Sequence, residues 1–126
     1  MQKVAVLGAG SWGTALSIVL ADNNHDVRLW SYREDQVNEI NDTHMNKRYL
    51  NVTLPTSIRA FHDLEEAVRG VEAVLIVVPS SAMREVMQKL QPHITENTIL
   101  IHASKGIEPD SLKRISEVID EELKSY

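Results

Sequence analysis

Apolar positions along this chain fall into two patterns. Val4-Ala5-Val6-Leu7, Ala73-Val74-Leu75-Ile76-Val77-Val78 and Ile99-Leu100-Ile101 are unbroken apolar runs, which predict strands buried on both faces, as in a parallel sheet. Elsewhere apolar residues recur every three or four positions, the period of a helix with one face buried. Ala15, Leu16, Val19 and Leu20 predict a helix over 12–22 whose stripe covers the sheet, and Val37 with Ile40 a short one over 34–41. Leu64, Ala67 and Val68 predict a third, N-capped by Asp63 with Glu66 at the capping-box spacing and ended by Gly70. Met83, Val86, Met87 and Leu90 predict a fourth, capped by Ser80. Leu112, Ile115, Val118, Ile119 and Leu123 predict a last one opened by Pro109-Asp110-Ser111. Val27-Arg28-Leu29-Trp30-Ser31 reads as a second strand, Ser57-Ile58-Arg59-Ala60 as a short third, and Thr98 to His102 as a buried one. The stretch 42–56 loses all periodicity and reads as a loop. Strands alternating with helices predict an α/β fold: a doubly wound, mainly parallel sheet with helices on both faces.

The turn after the first strand carries three glycines, Gly8-Ala9-Gly10-Ser11-Trp12-Gly13. In the spacing G-x-G-x-x-G, between a strand and a helix, they form the fingerprint of a dinucleotide-binding Rossmann domain. Gly8 lets the chain leave the strand in a tight turn, Gly10 keeps the backbone bare where a diphosphate approaches, and Gly13 lets the helix lie close on the strand. The helix N-terminus then offers unpaired N–H groups and the positive end of its dipole to an anion. Ser11 and Trp12 sit at its mouth. Trp12 has two readings here, an aromatic wall for the cofactor or an ordinary core residue.

Such folds sort NAD from NADP at the end of the second strand, where an NAD-selective site places a carboxylate for the ribose hydroxyls. This chain has Ser31-Tyr32-Arg33. Arg33 offers a planar fork of donors to a 2′-phosphate and Tyr32 a ring to stack on adenine, which favours NADP(H). The alternatives are an Arg33 that is merely a solvated charge opening the next helix, or Glu34 and Asp35 turned inward.

Strands of this class present their carboxyl ends to the ligand, so Val78-Pro79-Ser80 is expected to line the crevice, unless it is a plain strand-to-helix turn. The last strand delivers Ser104-Lys105-Gly106-Ile107-Glu108 to the same edge. Lys105, beside a glycine, suits a phosphate or the carbonyl of a reacting substrate, although a lysine is ordinarily a solvated surface group. Tyr49, in the loop, either faces the cofactor or packs beneath it.

Composition narrows the chemistry. The 126 residues are 43% hydrophobic and 25% charged, proportions of one globular domain. The net charge of −5 and scattered basic residues supply no footprint for nucleic acid. The absence of cysteine excludes disulfides and thiolate metal sites. Five histidines stand apart, without metal-ligand spacing, so no metal site is expected, and Ser104 near His102 has no nucleophile-elbow context. No apolar run is long enough to span a bilayer and no signal pattern opens the chain; no integral membrane contact and a cytoplasmic address are expected.

Taken together, Gly8-Ala9-Gly10-Ser11-Trp12-Gly13-Thr14-Ala15, Asn46-Lys47-Arg48-Tyr49-Leu50, Val78-Pro79-Ser80 and Ser104-Lys105-Gly106-Ile107-Glu108 make the chain resemble the N-terminal domain of bacterial NAD(P)-dependent glycerol-3-phosphate dehydrogenases, over essentially all 126 residues. The resemblance implies reduction of dihydroxyacetone phosphate to sn-glycerol 3-phosphate with NADPH or NADH. By matching motif it assigns Ser11, Trp12, Tyr32, Arg33, Tyr49 and Lys105 to the cofactor, beside Gly8, Gly10, Gly13 and Pro79, and Lys105 to the glycerol phosphate as well. Asn51 departs from the family, which often has proline there. It further implies that residues 1–126 are the cofactor domain alone, that the catalytic base belongs to a helical C-terminal domain absent from this chain, so that no catalytic residue is assigned here, and that the fragment does not turn over. A homodimer is left open for the full-length protein. The rival readings are another two-domain dehydrogenase of the 6-phosphogluconate dehydrogenase-like or ketol-acid reductase kind, and a nucleotide-binding module without chemistry.

Overall fold

The computed structural model describes residues 2–47, 50–95 and 97–102. Two of the three apolar runs, those of Val4-Ala5-Val6-Leu7 and Ala73-Val74-Leu75-Ile76, become inner strands of a sheet that has five strands among the described residues. The strands are β1 (Lys3–Leu7), β2 (Asp26–Trp30), β5 (Arg59–Phe61), β6 (Ala73–Ile76) and β7 (Ile99–His102), all parallel and ordered β5-β2-β1-β6-β7. The chain builds outward from β1 to one edge, then crosses back to lay β6 on the other side of β1. That reversal opens a crevice at the carboxyl ends of β1 and β6. Leu7 is in register with both Trp30 and Ile76, so three strands end at one level.

Side chains alternate across the sheet as the pleat requires. Leu7, Val74 and Ile76 pack on one face against α3 (Leu64–Val68) and α4 (Met83–Leu90); Val6, Val27 and Leu29 pack on the other against α1 (Ser11–Asp22) and α2 (Glu34–Thr43). This is the expected doubly wound arrangement. Met83, Met87 and Leu90 are fully buried, as their spacing predicts, and burial of such a side chain contributes about 1.5 to 3 kcal/mol.

Four details differ from the sequence reading. The Ala15, Leu16, Val19, Leu20 stripe of α1 meets the sheet only in part: Gly13, Thr14 and Ser17 are the buried residues of the helix, Leu20 packs half-buried on the core beside Ile18 and Ala21, and Val19 is exposed. The helix lies so close to β1 that only small side chains fit between. Second, 42–56 is not a loop throughout: α2 runs to Thr43, and β3 (Met45–Asn46) pairs antiparallel with β4 (Leu50–Thr53). Strands of two and four residues are too short to show a period, and the apolar anchors Leu54 and Ile58 lie beyond them. Asn51, in place of the family's proline, lies within β4, where a proline has no N–H for the ladder.

Third, α4 is not capped by Ser80. Residues Ser80–Ala82 form a single 3₁₀ turn, closed by the Ala82 N–H donating to the Pro79 carbonyl at 2.9 Å, and Ala82 stands at the N-cap. Fourth, β7 is not doubly buried. Among the described residues it is an edge strand; Leu100 packs on the α4 side, while Ile99 and Ile101 lie on the opposite face with more than half their surface exposed. The helix expected after Pro109 lies outside the described residues.

Asp63 does cap α3: its Oδ1 accepts from the Glu65 N–H at 3.0 Å. Asp63→Ala is expected to lower the unfolding free energy by about 1 kcal/mol, measured by chemical denaturation, with the Asp63→Asn protein close to wild type.

Candidate functional site

The glycine loop sits at the carboxyl end of β1, and three backbone bonds level its surroundings. The Gly8 N–H donates to the Trp30 carbonyl at 3.0 Å, the Val77 N–H to the Leu7 carbonyl at 2.9 Å, and the Ser31 N–H to the Phe61 carbonyl at 3.0 Å. Each carries the ladder one residue past its strand. Beyond them the chains separate around a cleft of about 600 Å³, within the range of small-molecule and cofactor sites.

The three glycines meet three different environments. Gly8 has φ of +122°, and a Cβ on it would lie 2.9 Å from the Val77 carbonyl oxygen; conformation and space both demand glycine. A Cβ on Gly13 would lie 1.8 Å from the Gly8 carbonyl oxygen, which is the tight helix-on-strand contact. Gly10 differs from both. Nothing lies within 4 Å of its Cβ position, and that open space belongs to the cleft. Gly10 is also the N-cap of α1, which no side chain caps. A helix start with no capping side chain, facing a cavity over a bare backbone, suits an anionic ligand.

Gly8, Gly10, Ser11, Trp12 and Gly13 line this cleft with Tyr32 and Arg33 from the end of β2 and with Val78 and Pro79 after β6. The structure therefore brings together eight of the ten residues singled out in the sequence. Tyr49 and Lys105 lie outside the described residues. Trp12 and Tyr32 are 75% and 71% exposed, so the core reading of Trp12 is wrong: two large aromatic rings stand open at the cleft. Arg33 is the N-cap of α2 and faces the same cavity, while its guanidinium pairs with Asp35 at 2.9 Å. That hydrogen bond, with the charge of Arg33, holds the Asp35 carboxyl below the usual carboxylate range. Asp35 thus stays ionised at neutral pH.

Sequence reasoning missed the buried polar chain behind the loop. Ser31, 2% exposed, donates its hydroxyl to Gln36 Oε1 and accepts from the Arg33 N–H at 3.1 Å. Gln36 Nε2 donates to the Ala9 carbonyl at 2.7 Å and to Asn46 Oδ1 at 3.0 Å. Asn46, 1% exposed, donates from Nδ2 to the same carbonyl and to Thr14 Oγ1, both at 2.8 Å. Ala82, Glu85, Val86 and Lys89 of the α4 region also line the cleft; of these only Val86 belongs to the apolar stripe.

A family model described as the N-terminus of NAD-dependent glycerol-3-phosphate dehydrogenase matches residues 3–126. The chain belongs to this family. It is 58% identical over 123 residues to the glycerol-3-phosphate dehydrogenase (NAD(P)+) of Oceanobacillus iheyensis and 57% identical over 123 residues to that of Shouchella clausii, covering 98% and 97% of its own length. It spans 36% of the length of each of these curated relatives. The crystal structure of glycerol-3-phosphate dehydrogenase from Coxiella burnetii superposes with a TM-score of 0.90 at 43% identity, over 97% of this chain and 38% of that one. Membership in the glycerol-3-phosphate dehydrogenase family decides against the other two-domain dehydrogenases as the source of this Rossmann domain. Among the described residues no helix is long and apolar enough to cross a membrane.

Proposed function

We propose that residues 1–126 are the cofactor-binding domain of an NAD(P)H-dependent dehydrogenase that reduces dihydroxyacetone phosphate to sn-glycerol 3-phosphate for glycerophospholipid synthesis. One observation carries the cofactor part: the crevice where strand order reverses is floored by Gly10, whose Cβ position is empty. The dinucleotide, when bound, supplies the hydride. The chain's own residues bind and orient it. The glycine loop and the start of α1 face the diphosphate, Gly8 and Gly13 hold loop and helix close to β1, and Trp12 and Pro79 wall the cleft. Tyr32 offers its exposed ring to adenine and Arg33 its guanidinium to a 2′-phosphate, with Asp35 already holding part of that fork.

Family likeness adds Tyr49 and Lys105 to the cofactor site and gives Lys105 the glycerol phosphate as well. The catalytic base is assigned to the part of the family's longer proteins that this sequence does not include. Hydride transfer needs nicotinamide and carbonyl held in near-attack geometry, so residues 1–126 alone bind NADP(H) or NAD(H) without turnover. A metabolic role, a cysteine-free chain and a small phosphorylated substrate support a cytoplasmic address, with homodimerisation a property to be measured on the full-length protein.

The test is titration of the chain and of Arg33→Ala with NADPH and with NADH, followed by nicotinamide fluorescence. Loss of a charge-assisted contact of about 1.5 to 3 kcal/mol weakens NADPH roughly ten- to a hundredfold and leaves NADH nearly unchanged. Equal losses for both cofactors, or none, remove Arg33 from the phosphate site; a wild-type chain that binds neither removes the cofactor reading.

A further inference from the structure

We propose that Gln36, acting with Asn46, is a positioning residue: it locks the Ala9–Gly10 peptide so that the Gly10 N–H is turned to the diphosphate of the bound dinucleotide. The inference rests on the reading of the cleft as a dinucleotide site. Its physical basis is the trans peptide, in which C=O and the following N–H point to opposite sides of one plane. The Ala9 carbonyl is drawn inward by Gln36 Nε2 at 2.7 Å and Asn46 Nδ2 at 2.8 Å, with the Thr14 hydroxyl at 3.4 Å. The N–H on the far edge of that plane must then face away from those donors. Gly10, with no side chain, borders the cleft there.

The two amides are themselves held without slack. Asn46 Oδ1 accepts from Gln36, its Nδ2 serves both the Ala9 carbonyl and Thr14 Oγ1, and Gln36 Oε1 accepts from Ser31. Every polar atom of both amides has a partner, although Gln36 is only half-buried and itself borders the cleft, and a network satisfied in this way rigidifies rather than weakens its surroundings. Gln36 is also the link between the two ends of the site. One of its atoms reaches the glycine loop, and another reaches Ser31, which fixes the Arg33 N–H. Asn46 brings in the β3–β4 hairpin, so α2 and the hairpin are both fastened to one carbonyl of the loop.

Asn41 supplies the control. It lies on α2 like Gln36 and is bonded as well, donating to the Ala60 carbonyl at 2.9 Å and accepting from the Ala60 N–H at 2.8 Å. It anchors the same helix to β5 and touches nothing in the glycine loop. Gln36→Leu and Asn41→Leu therefore both loosen α2, but only the first frees the Ala9 carbonyl. Gln36→Glu keeps the shape of the side chain while replacing the donor with an oxygen that repels the Ala9 carbonyl; because Gln36 borders the cleft and this variant also adds a charge there, the positioning role is decided on Gln36→Leu, which adds none.

The experiment measures dissociation constants for NADH and NADPH and the thermal midpoint of the wild-type chain and the three variants. Gln36→Leu and Gln36→Glu are expected to weaken both cofactors about tenfold, because the diphosphate is common to them, as for loss of one hydrogen bond to a charged group. Asn41→Leu is expected to lower the midpoint at least as far with affinity within twofold of wild type. If Asn41→Leu costs as much affinity as Gln36→Leu, or if Gln36→Leu binds like wild type, the positioning role is overturned and the network is structural only. A wild-type chain that binds neither cofactor overturns the cofactor reading instead, a result distinct from both.

Discussion

Gly13→Ala is expected to cost the fold about 3 kcal/mol or more, a large part of the 5 to 15 kcal/mol that holds a typical domain together. The added methyl would sit 1.8 Å from the Gly8 carbonyl oxygen and 3.1 Å from the Val77 side chain. The first contact is backbone, at the point where β1 leaves the sheet, and no rotamer relieves it. Relief requires α1 to lift from β1. Lifting it breaks the contacts of Thr14 and Ser17, which are fully buried against the strand, and draws Thr14 away from Asn46 and the Ala9 carbonyl. Chemical denaturation should show the midpoint falling sharply, with cofactor affinity falling as well because the loop moves with the helix. A variant with the wild-type midpoint would mean that α1 does not lie as close to β1 as the structure has it.

The parts of this molecule legible in the sequence are those whose constraint is local and written in the backbone. The runs at Val4-Ala5-Val6-Leu7 and Ala73-Val74-Leu75-Ile76 mark central strands because a strand covered on both faces has no polar position to spare. The glycines mark the loop because their reasons, a positive φ at Gly8 and a near-contact at Gly13, act within six residues of one another. What was not legible depends on residues far apart in the chain. Gln36, Asn46 and Ala9 meet across separations of 10, 27 and 37 residues, and neither amide carries a local sign of burial. The α1 stripe misled for a related reason. Leu16 and Val19 have the spacing of a core face, but the closeness enforced at Gly13 selects small residues, Thr14 and Ser17, for the strand side and leaves Leu16 half-buried and Val19 exposed. Tertiary geometry set by one glycine overrode hydrophobic periodicity. The edge position of β7 among the described strands is likewise a property of strand order, which the apolar run Ile99-Leu100-Ile101 does not contain.

Gly10→Val is expected to do the reverse of Gly13→Ala: the fold survives and the cofactor is excluded. Gly10 has φ of −77° and ψ of −168°, extended backbone that a β-branched residue adopts readily. Beyond its chain neighbours and its own helix, no atom lies within 4 Å of the new Cβ, and the side chain extends into the cleft that Gly10 lines, so the unfolding free energy should change by less than about 1 kcal/mol. The isopropyl group fills the space over the Ala9–Gly10 peptide instead, where the proposed diphosphate must approach the backbone. Displacing that anion removes its charge-assisted contacts with the loop, and affinity for NADH and NADPH alike should fall at least a hundredfold, on the order of 3 kcal/mol. The comparison is made with denaturation and cofactor titration on one preparation. A variant that folds like wild type and still binds both dinucleotides with wild-type affinity would place the diphosphate somewhere other than over Gly10. In that case the open space above this residue serves another ligand, and the roles assigned to Ser11, Gln36 and Asn46 fall with it.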